Sequence, residues 1–346
     1  MSKEQGIQTV YGGGRHVVIL GAGASIAATR RNAESGGKQL PSMDNLVQVV
    51  GLEDIVASLP NHLKATNFEE LYGKIYADNP ESQALVEINR RVHSYFSSMK
   101  LPDEPTIYDY LVLSLRDKDL IATFNWDPFL YQAFCRNHRV ANMPHICFLH
   151  GNVAIGYDKK NKNSGPVGIY PRGNFEPTTL LYPVSQKNYN VDEYISTEWK
   201  RIEAWLSDED TVRITVFGYG APVSDIEAVS LLNRAWGQPD ERAMEQIDIV
   251  DIVSDEELRK RWDGFIHSHH YETTNSYFDS VLGLYPRRTS ESYFHHYQPF
   301  TPDEAFQEPN PVPQDFKTLE EMWTWFKPLI DAEREWEAKQ NVGSAE

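Results

Sequence analysis

Five apolar runs divide the chain, and polar residues do not alternate within them. Each run is short and rich in β-branched side chains, which is typical of strands that are buried on both faces of a sheet. The predicted strands span residues 16–20, 119–124, 145–149, 212–218 and 247–253. The pattern therefore favours a sheet that other elements cover on both sides.

Helical periodicity fills the segments between these runs. Residues 81–97 place Leu85, Ile88, Val92 and Phe96 on one stripe, at three- and four-residue spacing. Further helices are predicted over 107–116, 193–206 and 224–234, from Asp255 onward, and over 319–339. This alternation predicts an α/β fold, a Rossmann-like parallel sheet with helices on both faces.

Two departures from the alternation organise the chain. Residues 54–118 carry helical patterns only, which predicts a helical insertion between the first two core strands. Prolines become frequent after residue 299, where neither a helix nor a central strand can form. We therefore predict one domain over residues 1–290, followed over 291–346 by a proline-rich arm and a C-terminal helical extension.

The predicted C-terminal helix is rich in large aromatic side chains, among them Trp323, Phe326 and Trp336. Two interpretations of these rings are open. The helix either packs back on its own domain or presents the rings to another subunit, because exposed aromatic side chains tend to mark interfaces.

Composition and charge limit the cellular compartment and the classes of partner that we expect for this chain. The chain of 346 residues has a net charge of −17, whereas a protein that binds phosphate backbones or anionic membranes needs clustered Lys and Arg. Two cysteines do not form a disulfide framework and fit a reducing compartment. The sequence shows neither the apolar run of about 20 residues that a membrane-spanning helix needs nor the hydrophobic region of a signal peptide. We expect a cytoplasmic protein that contacts neither nucleic acid nor membrane directly.

A glycine turn follows the first predicted strand. In the segment Gly21-Ala22-Gly23-Ala24-Ser25, the glycines permit a sharp turn, and backbone N–H groups there could hold a pyrophosphate. The usual dinucleotide fingerprint needs a third glycine, but position 26 is isoleucine, and an acidic residue does not end a second strand about twenty positions on. The segment therefore predicts a phosphate cradle of another kind than that of common dehydrogenases.

Polar side chains end the second predicted strand. Thr123, Asn125 and Asp127 follow its apolar residues directly, at the edge where ligands bind parallel sheets. Asn125 could hold a ribose hydroxyl or a water molecule. Asp127 could accept from a carboxamide, or it could only cap the helix that begins at Pro128. Both interpretations of Asp127 stay open.

Histidine and glycine end the next two strands. His150 precedes Gly151, and its ordinary pKa near 6.5 suits a general base, although a lone histidine is often only a core residue. Gly218, Tyr219 and Gly220 form a second glycine turn, which could hold the adenosine half of a nucleotide or serve as a tight loop.

Other histidines cluster late in the sequence. They are His267, His269, His270, His295 and His296. Paired carboxylates and helical histidine spacing do not accompany them, so we predict that they hold no metal.

Four of these segments together resemble the sirtuin family, and more closely the bacterial sirtuin-like effectors that cleave NAD in antiphage defence. The carrying motifs are Gly21 to Ser25, Thr123-x-Asn125-x-Asp127, His150-Gly151 and, more loosely, Gly218 to Gly220. Protein-deacylating sirtuins carry a zinc module with four cysteines, which a chain with two cysteines cannot build in that form. The resemblance therefore points away from deacylation.

The resemblance implies a function and a set of site residues. NAD would be the substrate of an NAD glycohydrolase, with Asn125 and His150 catalytic and no metal required. The cofactor-binding residues would be Gly21, Ala22, Gly23, Ala24, Ser25, Thr123, Asp127, Gly151, Gly218, Tyr219 and Gly220. It further implies a homo-oligomer whose activity is gated by a partner, such as an ATPase or a nucleic-acid-sensing protein.

Several alternatives stay open at this point. The chain could be a non-catalytic subunit that binds NAD or ADP-ribose as a sensor or a structural part. The residues also do not decide whether the product is hydrolysed or cyclised, or whether NAD or NADP is the preferred nucleotide.

Overall fold

Ten strands and fourteen α-helices build the protein in a computed structural model, which describes residues 1–29, 38–182, 192–220, 226–237, 246–266, 270–297 and 308–343. In chain order the strands are β1 (Arg15–Leu20), β2 (Leu120–Thr123), β3 (His145–Phe148), β4 (Ile155–Asp158), β5 (Asn163–Pro166), β6 (Gly168–Tyr170), β7 (Gly173–Pro177), β8 (Thr211–Phe217), β9 (Gln246–Val250) and β10 (His270–Thr274). The helices are α1 (Lys3–Gln8), α2 (Ala22–Thr29), α3 (Leu46–Val50), α4 (Glu53–Ser58), α5 (Phe68–Asp78), α6 (Gln83–Ser97), α7 (Ile107–Ser114), α8 (Phe129–Asn137), α9 (Glu193–Leu206), α10 (Ile226–Trp236), α11 (Asp255–Ile266), α12 (Val281–Leu284), α13 (Thr289–Tyr297) and α14 (Leu319–Gly343).

Six of the strands form one parallel sheet, in the order β10-β9-β8-β1-β2-β3. Counting only these six strands along the chain, the order is 3-2-1-4-5-6 reversed end to end, the doubly wound order of Rossmann folds. The predicted α/β fold is thereby confirmed. The chain leaves β1 in one direction for β2 and β3, and later returns to the other side of β1 with β8. The carboxyl ends of β1 and β8 therefore flank the topological switch point, where such sheets bind ligands.

Both faces of this sheet are buried, as the unbroken apolar runs predict. Along β1, Val18 and Leu20 join one core, while Val17 and Ile19 join a second core on the opposite face. All four side chains are fully buried. The side-chain period of two explains the division, since neighbouring residues of a strand point to opposite faces. Helices cover both cores.

Strand β10 was missed by the sequence pattern. Its residues are His270-Tyr-Glu-Thr-Thr274, and most of them are exposed at the edge of the sheet. A polar edge strand has no apolar run, so only its backbone pairing with β9 reveals it.

A small antiparallel sheet was also missed. It follows the His150-Gly151 turn and has the order β5-β4-β7-β6. Its strands contain short sequences such as Asn163-Ser-Gly-Pro166, which have neither alternation nor β-branched runs. Pairing between β4 and β7, which are not consecutive strands, defines this sheet.

Helices α3 to α7 occupy Leu46 to Ser114, so helical structure begins before the predicted start of the insertion at residue 54. Their apolar sides are not separate from the sheet. Leu71, Ile88 and Leu111 belong to the same core as Val18 of β1. This segment therefore helps to cover one face of the sheet.

The C-terminal helix α14 packs back on its own chain. Met322, Phe326 and Leu329 are buried in the core that also holds Val18. Trp336 lies against the backbone of Gly12, where a methyl group on Gly12 would come within 2.7 Å of the indole ring. Part of the predicted proline-rich arm, residues 298–307, lies outside the described residues. Among the helices that the structure describes, none is long and apolar enough to cross a membrane.

Candidate functional site

The turns after β1 and β8 pack backbone against backbone at the switch point. The N–H group of Gly21 donates to Phe217 O at 3.1 Å, and that of Gly23 donates to Gly218 O at 2.9 Å. A Cβ atom on Gly21 would lie 2.5 Å from Gly218 O. Gly218 itself has φ +61°, in the left-handed region that favours glycine. These predicted binding glycines therefore have a structural role, which is to let the two turns meet.

This packing changes the picture of the predicted phosphate cradle. Besides Gly23, Ala24 also donates its N–H group within the protein, to Gly21 O at 3.1 Å. A pyrophosphate would have to displace these carbonyl groups to bind both amides. Ala22 is exposed and begins α2. The start of that helix remains the part of the turn that is accessible to an anion.

Four polar side chains meet beside this turn, and we call them the Ser25 cluster: Ser25, Tyr108, Asn125 and Asp127. Ser25 Oγ donates to Asp127 Oδ2 at 2.7 Å and lies 2.6 Å from the hydroxyl of Tyr108 and 2.9 Å from Asn125 Nδ2. Ser25, Tyr108 and Asp127 are buried, whereas Asn125 is half-buried. The sequence predicted three members of the cluster, and the structure brings those three into contact.

The orientation of the Asn125 amide follows from its partners. Asn125 Nδ2 donates to the backbone oxygen of Gly21 at 2.8 Å, and a carbonyl oxygen can only accept. The NH₂ group must therefore face Gly21 and Ser25. Within the described residues, Asn125 Oδ1 has no protein partner and is the acceptor that this site offers to a ligand. The backbone of Asn125 is held by Thr123, whose buried Oγ1 accepts its N–H group at 3.1 Å.

Asp127 binds the start of α8, as the capping interpretation predicts, and also joins the Ser25 cluster, whereas its contact with a ligand carboxamide stays a prediction. Its Oδ1 accepts from the N–H group of Phe129 at 3.2 Å, at the beginning of α8, and its Oδ2 accepts from Ser25. The helix begins at Phe129, one residue after the predicted Pro128. Burial raises the pKa of Asp127 to about 6, although the bonds from Ser25 and Phe129 oppose the rise.

This pKa predicts a dependence of stability on pH. Between its ordinary value of 3.8 and about 6, the Asp127 carboxyl keeps its proton when folded and loses it when unfolded. Stability from this group is therefore fully present below pH 3.8 and is lost as the pH rises through 6, by about 3 kcal/mol. We expect Asp127→Asn to lack this loss. Urea unfolding at pH 4 and pH 7 should therefore show that the free energy of unfolding of the variant, relative to that of the wild type, is higher at pH 7 than at pH 4.

Asp117→Asn is the matched control, because Asp117 is exposed. It should leave the wild-type pH profile unchanged. Parallel profiles for Asp127→Asn and the wild type would show that Asp127 does not titrate in this range.

His150 follows β3, the strand next to β2. Its side chain is 8% exposed, and its ring lies 4.9 Å from that of Phe124 and 6.3 Å from that of Trp199. Phe124 and Trp199 belong to the core on the opposite face from Tyr108. The described contacts of His150 are therefore aromatic, whereas those of Asn125 are polar.

Asn152 ties the ends of β2 and β3 together. Its Nδ2 donates to Asn125 O at 3.2 Å and to Asp127 O at 2.7 Å. Gly151 has φ +74° beside the backbone oxygen of Thr179, so a side chain there would be strained and would collide. The sequence pattern did not identify Asn152, because its partners are backbone atoms distant along the chain.

The second glycine turn contributes a buried ring. Tyr219 stacks on Phe124 at 4.4 Å and lies edge-on to Trp262 at 6.2 Å. Gly220 lies beside the guanidinium of Arg261. Residues 221–225, which follow this turn, lie outside the described residues. Phe124 therefore contacts both Tyr219 and His150.

Tyr108 is the member of the cluster that sequence reasoning missed. It lies in the predominantly apolar helix α7, Ile107-Tyr-Asp-Tyr-Leu-Val-Leu-Ser114. In such a helix the sequence predicts that an aromatic residue is part of the hydrophobic core. Its position 83 residues from Ser25 left no local signal of their contact.

A concavity lies at the outer edge of β3, with a volume of about 370 Å³. Its lining includes Tyr131, Tyr194 and Glu198, but none of the predicted site residues. The Glu198 carboxylate is already engaged, since it accepts from Phe148 N at 2.9 Å and pairs with Arg201. We therefore take the switch point, where the half-buried Asn125 offers Oδ1 as an acceptor, as the candidate site.

Within the described residues, three or more His, Cys, Asp or Glu side chains do not come together as a metal site. The predicted histidine cluster is described only in part, because His267 and His269 lie outside those residues.

Comparisons with known proteins give a limited result. No protein-family model matches this chain, and no curated protein matches it. A solved structure described as the crystal structure of a Sir2 homolog–NAD complex aligns with 78% of this chain and 86% of its own, at 13% identity and a TM-score of 0.39. Similarity at this level does not establish a family.

Proposed function

We propose that this chain binds NAD at the switch point and cleaves the bond between nicotinamide and ribose. The observation that carries the proposal is the Ser25 cluster, in which a buried polar network leaves Asn125 Oδ1 as an acceptor at the carboxyl edge of the sheet. Ligands of doubly wound sheets bind at this edge. The resemblance of the four motifs to sirtuin-like proteins adds the identity of the ligand.

Each residue has a role in the proposed reaction. Asn125 accepts a hydrogen bond from a hydroxyl of the nicotinamide ribose and so fixes the sugar. The bond from ribose C1′ to the nicotinamide nitrogen breaks, and its electrons neutralise the cationic ring. Water then adds to C1′ of the oxocarbenium-like centre, and His150 takes the proton that this water loses. The products are nicotinamide and ADP-ribose.

One observation favours the alternative of a non-catalytic NAD or ADP-ribose subunit. The rings of Phe124 and Trp199 lie against the His150 ring. The catalytic role requires that the reacting water reach this ring. If Phe124 and Trp199 keep water away from His150, the chain would bind the nucleotide without cleaving it.

The purified chain is expected to convert NAD to nicotinamide and ADP-ribose. Chromatography separates these products from each other and from cyclic ADP-ribose, and a parallel incubation with NADP tests the cofactor preference. Calorimetric titration with NAD measures binding independently. Binding without product would favour the non-catalytic subunit, and the absence of both binding and product would reject the NAD proposal.

The wider biological proposals rest on the resemblance alone. We propose a cytoplasmic homo-oligomer that depletes NAD in antiphage defence and is gated by a partner, such as an ATPase or a nucleic-acid-sensing protein. Light scattering of the purified chain tests the oligomer. NAD levels in infected cells that carry the chain or its Asn125→Ala variant test the defence role.

A further inference from the structure

We infer that Tyr108 is a positioning residue of this site: its hydroxyl fixes Ser25 and, through Ser25, the amide of Asn125. The inference deepens the proposed function, on which its kinetic test rests. It also has a structural consequence, namely the immobility of one amide group, that can be measured without NAD.

The hydrogen-bonding capacity of Ser25 carries the inference. A serine hydroxyl has one hydrogen to donate and two positions at which it accepts. Its hydrogen goes to Asp127, which lies 2.7 Å away. Asn125 Nδ2 occupies one accepting position, and the hydroxyl of Tyr108, at 2.6 Å, occupies the other. Every position is used once, so rotation of the Ser25 hydroxyl would break at least one of these bonds.

The Asn125 amide is held by the same arrangement. Its NH₂ group has two hydrogens, and three acceptors surround it: Gly21 O at 2.8 Å, Ser25 Oγ at 2.9 Å and the Tyr108 oxygen at 3.2 Å. Turning the amide over would place Oδ1 against the carbonyl oxygen of Gly21, which repels it. Without the Tyr108 hydroxyl, Ser25 can rotate, and the amide loses one of the atoms that keep it in place.

Helix α7 is itself fixed at both ends, so it can hold the Tyr108 hydroxyl firmly. At its beginning, Asp109 caps Thr106 and accepts from Arg136 Nε at 2.6 Å. At its end, Arg287 Nη1 donates to Leu113 O at 3.2 Å and to the following Leu115 O at 3.0 Å. A group that is carried by a rigid element positions its neighbours more accurately than one on a loop.

The variant Tyr108→Phe tests this role, with Tyr110→Phe as a matched control on the same helix. Tyr110 packs against Phe278 and Phe316, outside the Ser25 cluster. We expect Tyr108→Phe to lower kcat for NAD cleavage by about 10-fold or more while KM changes less than about 3-fold, since positioning acts in the transition state. Tyr110→Phe should stay within about 2-fold of the wild type.

A double-mutant cycle tests whether the effect passes through Ser25. If it does, adding Tyr108→Phe to Ser25→Ala should change kcat by less than about 2-fold further, because groups acting as a unit are not additive. Effects that multiply in the double variant would overturn the inference that Tyr108 acts through Ser25.

A measurement on Asn125 itself separates this inference from the proposed function. In protein labelled with ¹⁵N-asparagine, the Asn125 NH₂ signal is identified by its absence from the Asn125→Asp spectrum. Its hydrogens should exchange slowly with solvent in the wild type and about 10-fold faster in Tyr108→Phe.

The outcomes are distinct. Fast exchange in the wild type, or equal exchange in both proteins, would overturn the positioning role, and the wild-type result decides even where the variant does not fold. Slow exchange that Tyr108→Phe accelerates, in a chain that does not cleave NAD, would support the positioning role and reject only the reaction.

Discussion

Replacing Asn125 or His150 by alanine is expected to lower the rate of NAD cleavage by about 100-fold or more. Asn125→Ala removes the oxygen that faces the ligand and also frees Gly21 O and Ser25 Oγ from their donor. The ribose then loses the group that orients it for bond cleavage. His150→Ala removes the proposed acceptor of the proton from water, while the Ser25 cluster keeps its contacts.

Chromatographic assay of nicotinamide release gives these rates, and Asn142→Ala is a control of the same substitution at an exposed residue before β3. The two variants should differ in binding: His150→Ala should keep its affinity for NAD, whereas Asn125→Ala should lose part of it. Full activity of a folded His150→Ala protein would remove His150 from the mechanism. Full activity of Asn125→Ala would remove the observation that carries the proposal.

Replacing Glu333 by glutamine is expected to lower the free energy of unfolding by about 3 to 5 kcal/mol. Glu333 is 5% exposed and accepts from Arg287 Nε at 2.8 Å and from Arg288 Nη1 at 2.7 Å. Arg116 lies 4.0 Å from it. These three guanidinium groups are buried too, and the protein interior solvates their positive charges poorly. Loss of the carboxylate charge therefore leaves them without enough negative charge nearby.

The same glutamate fastens α14 to the rest of the chain, since both arginines precede α13. Urea unfolding measures the loss, and Glu335→Gln, at an exposed position of α14, should change stability by less than about 0.5 kcal/mol. Equal midpoints for Glu333→Gln and the wild type would mean that the arginines are compensated by other groups.

The positions of five core strands and of most long helices were predictable because their signals are local. Strands buried on both faces appear as unbroken apolar runs, and α6 shows its buried stripe at the period of an α-helix. Polar residues at the ends of such runs identified Ser25, Asn125 and Asp127, since a parallel sheet gathers strand ends along one edge.

Other features depend on contacts between distant residues, which leave no such signal. Strand β10 is polar, and the strands of the sheet of β4 to β7 are too short to show a strand pattern, so backbone pairing alone defines both. The sequence left open whether the C-terminal helix packs inward or outward, and the burial of Met322 and Phe326 in the core decides this. For α14, the deciding contacts lie on elements hundreds of residues earlier in the chain.

The sequence by itself determined the kind of sheet, its direction and the polar residues at its carboxyl edge, because hydrophobic burial and side-chain period act over a few neighbouring residues. Only the tertiary structure decided that Tyr108 completes the Ser25 cluster, that Gly21 meets Gly218, and that the Asn125 amide turns its oxygen outward. Hydrogen-bond capacity and close packing govern these features, and both depend on which remote residues the fold brings within about 3 Å of each other.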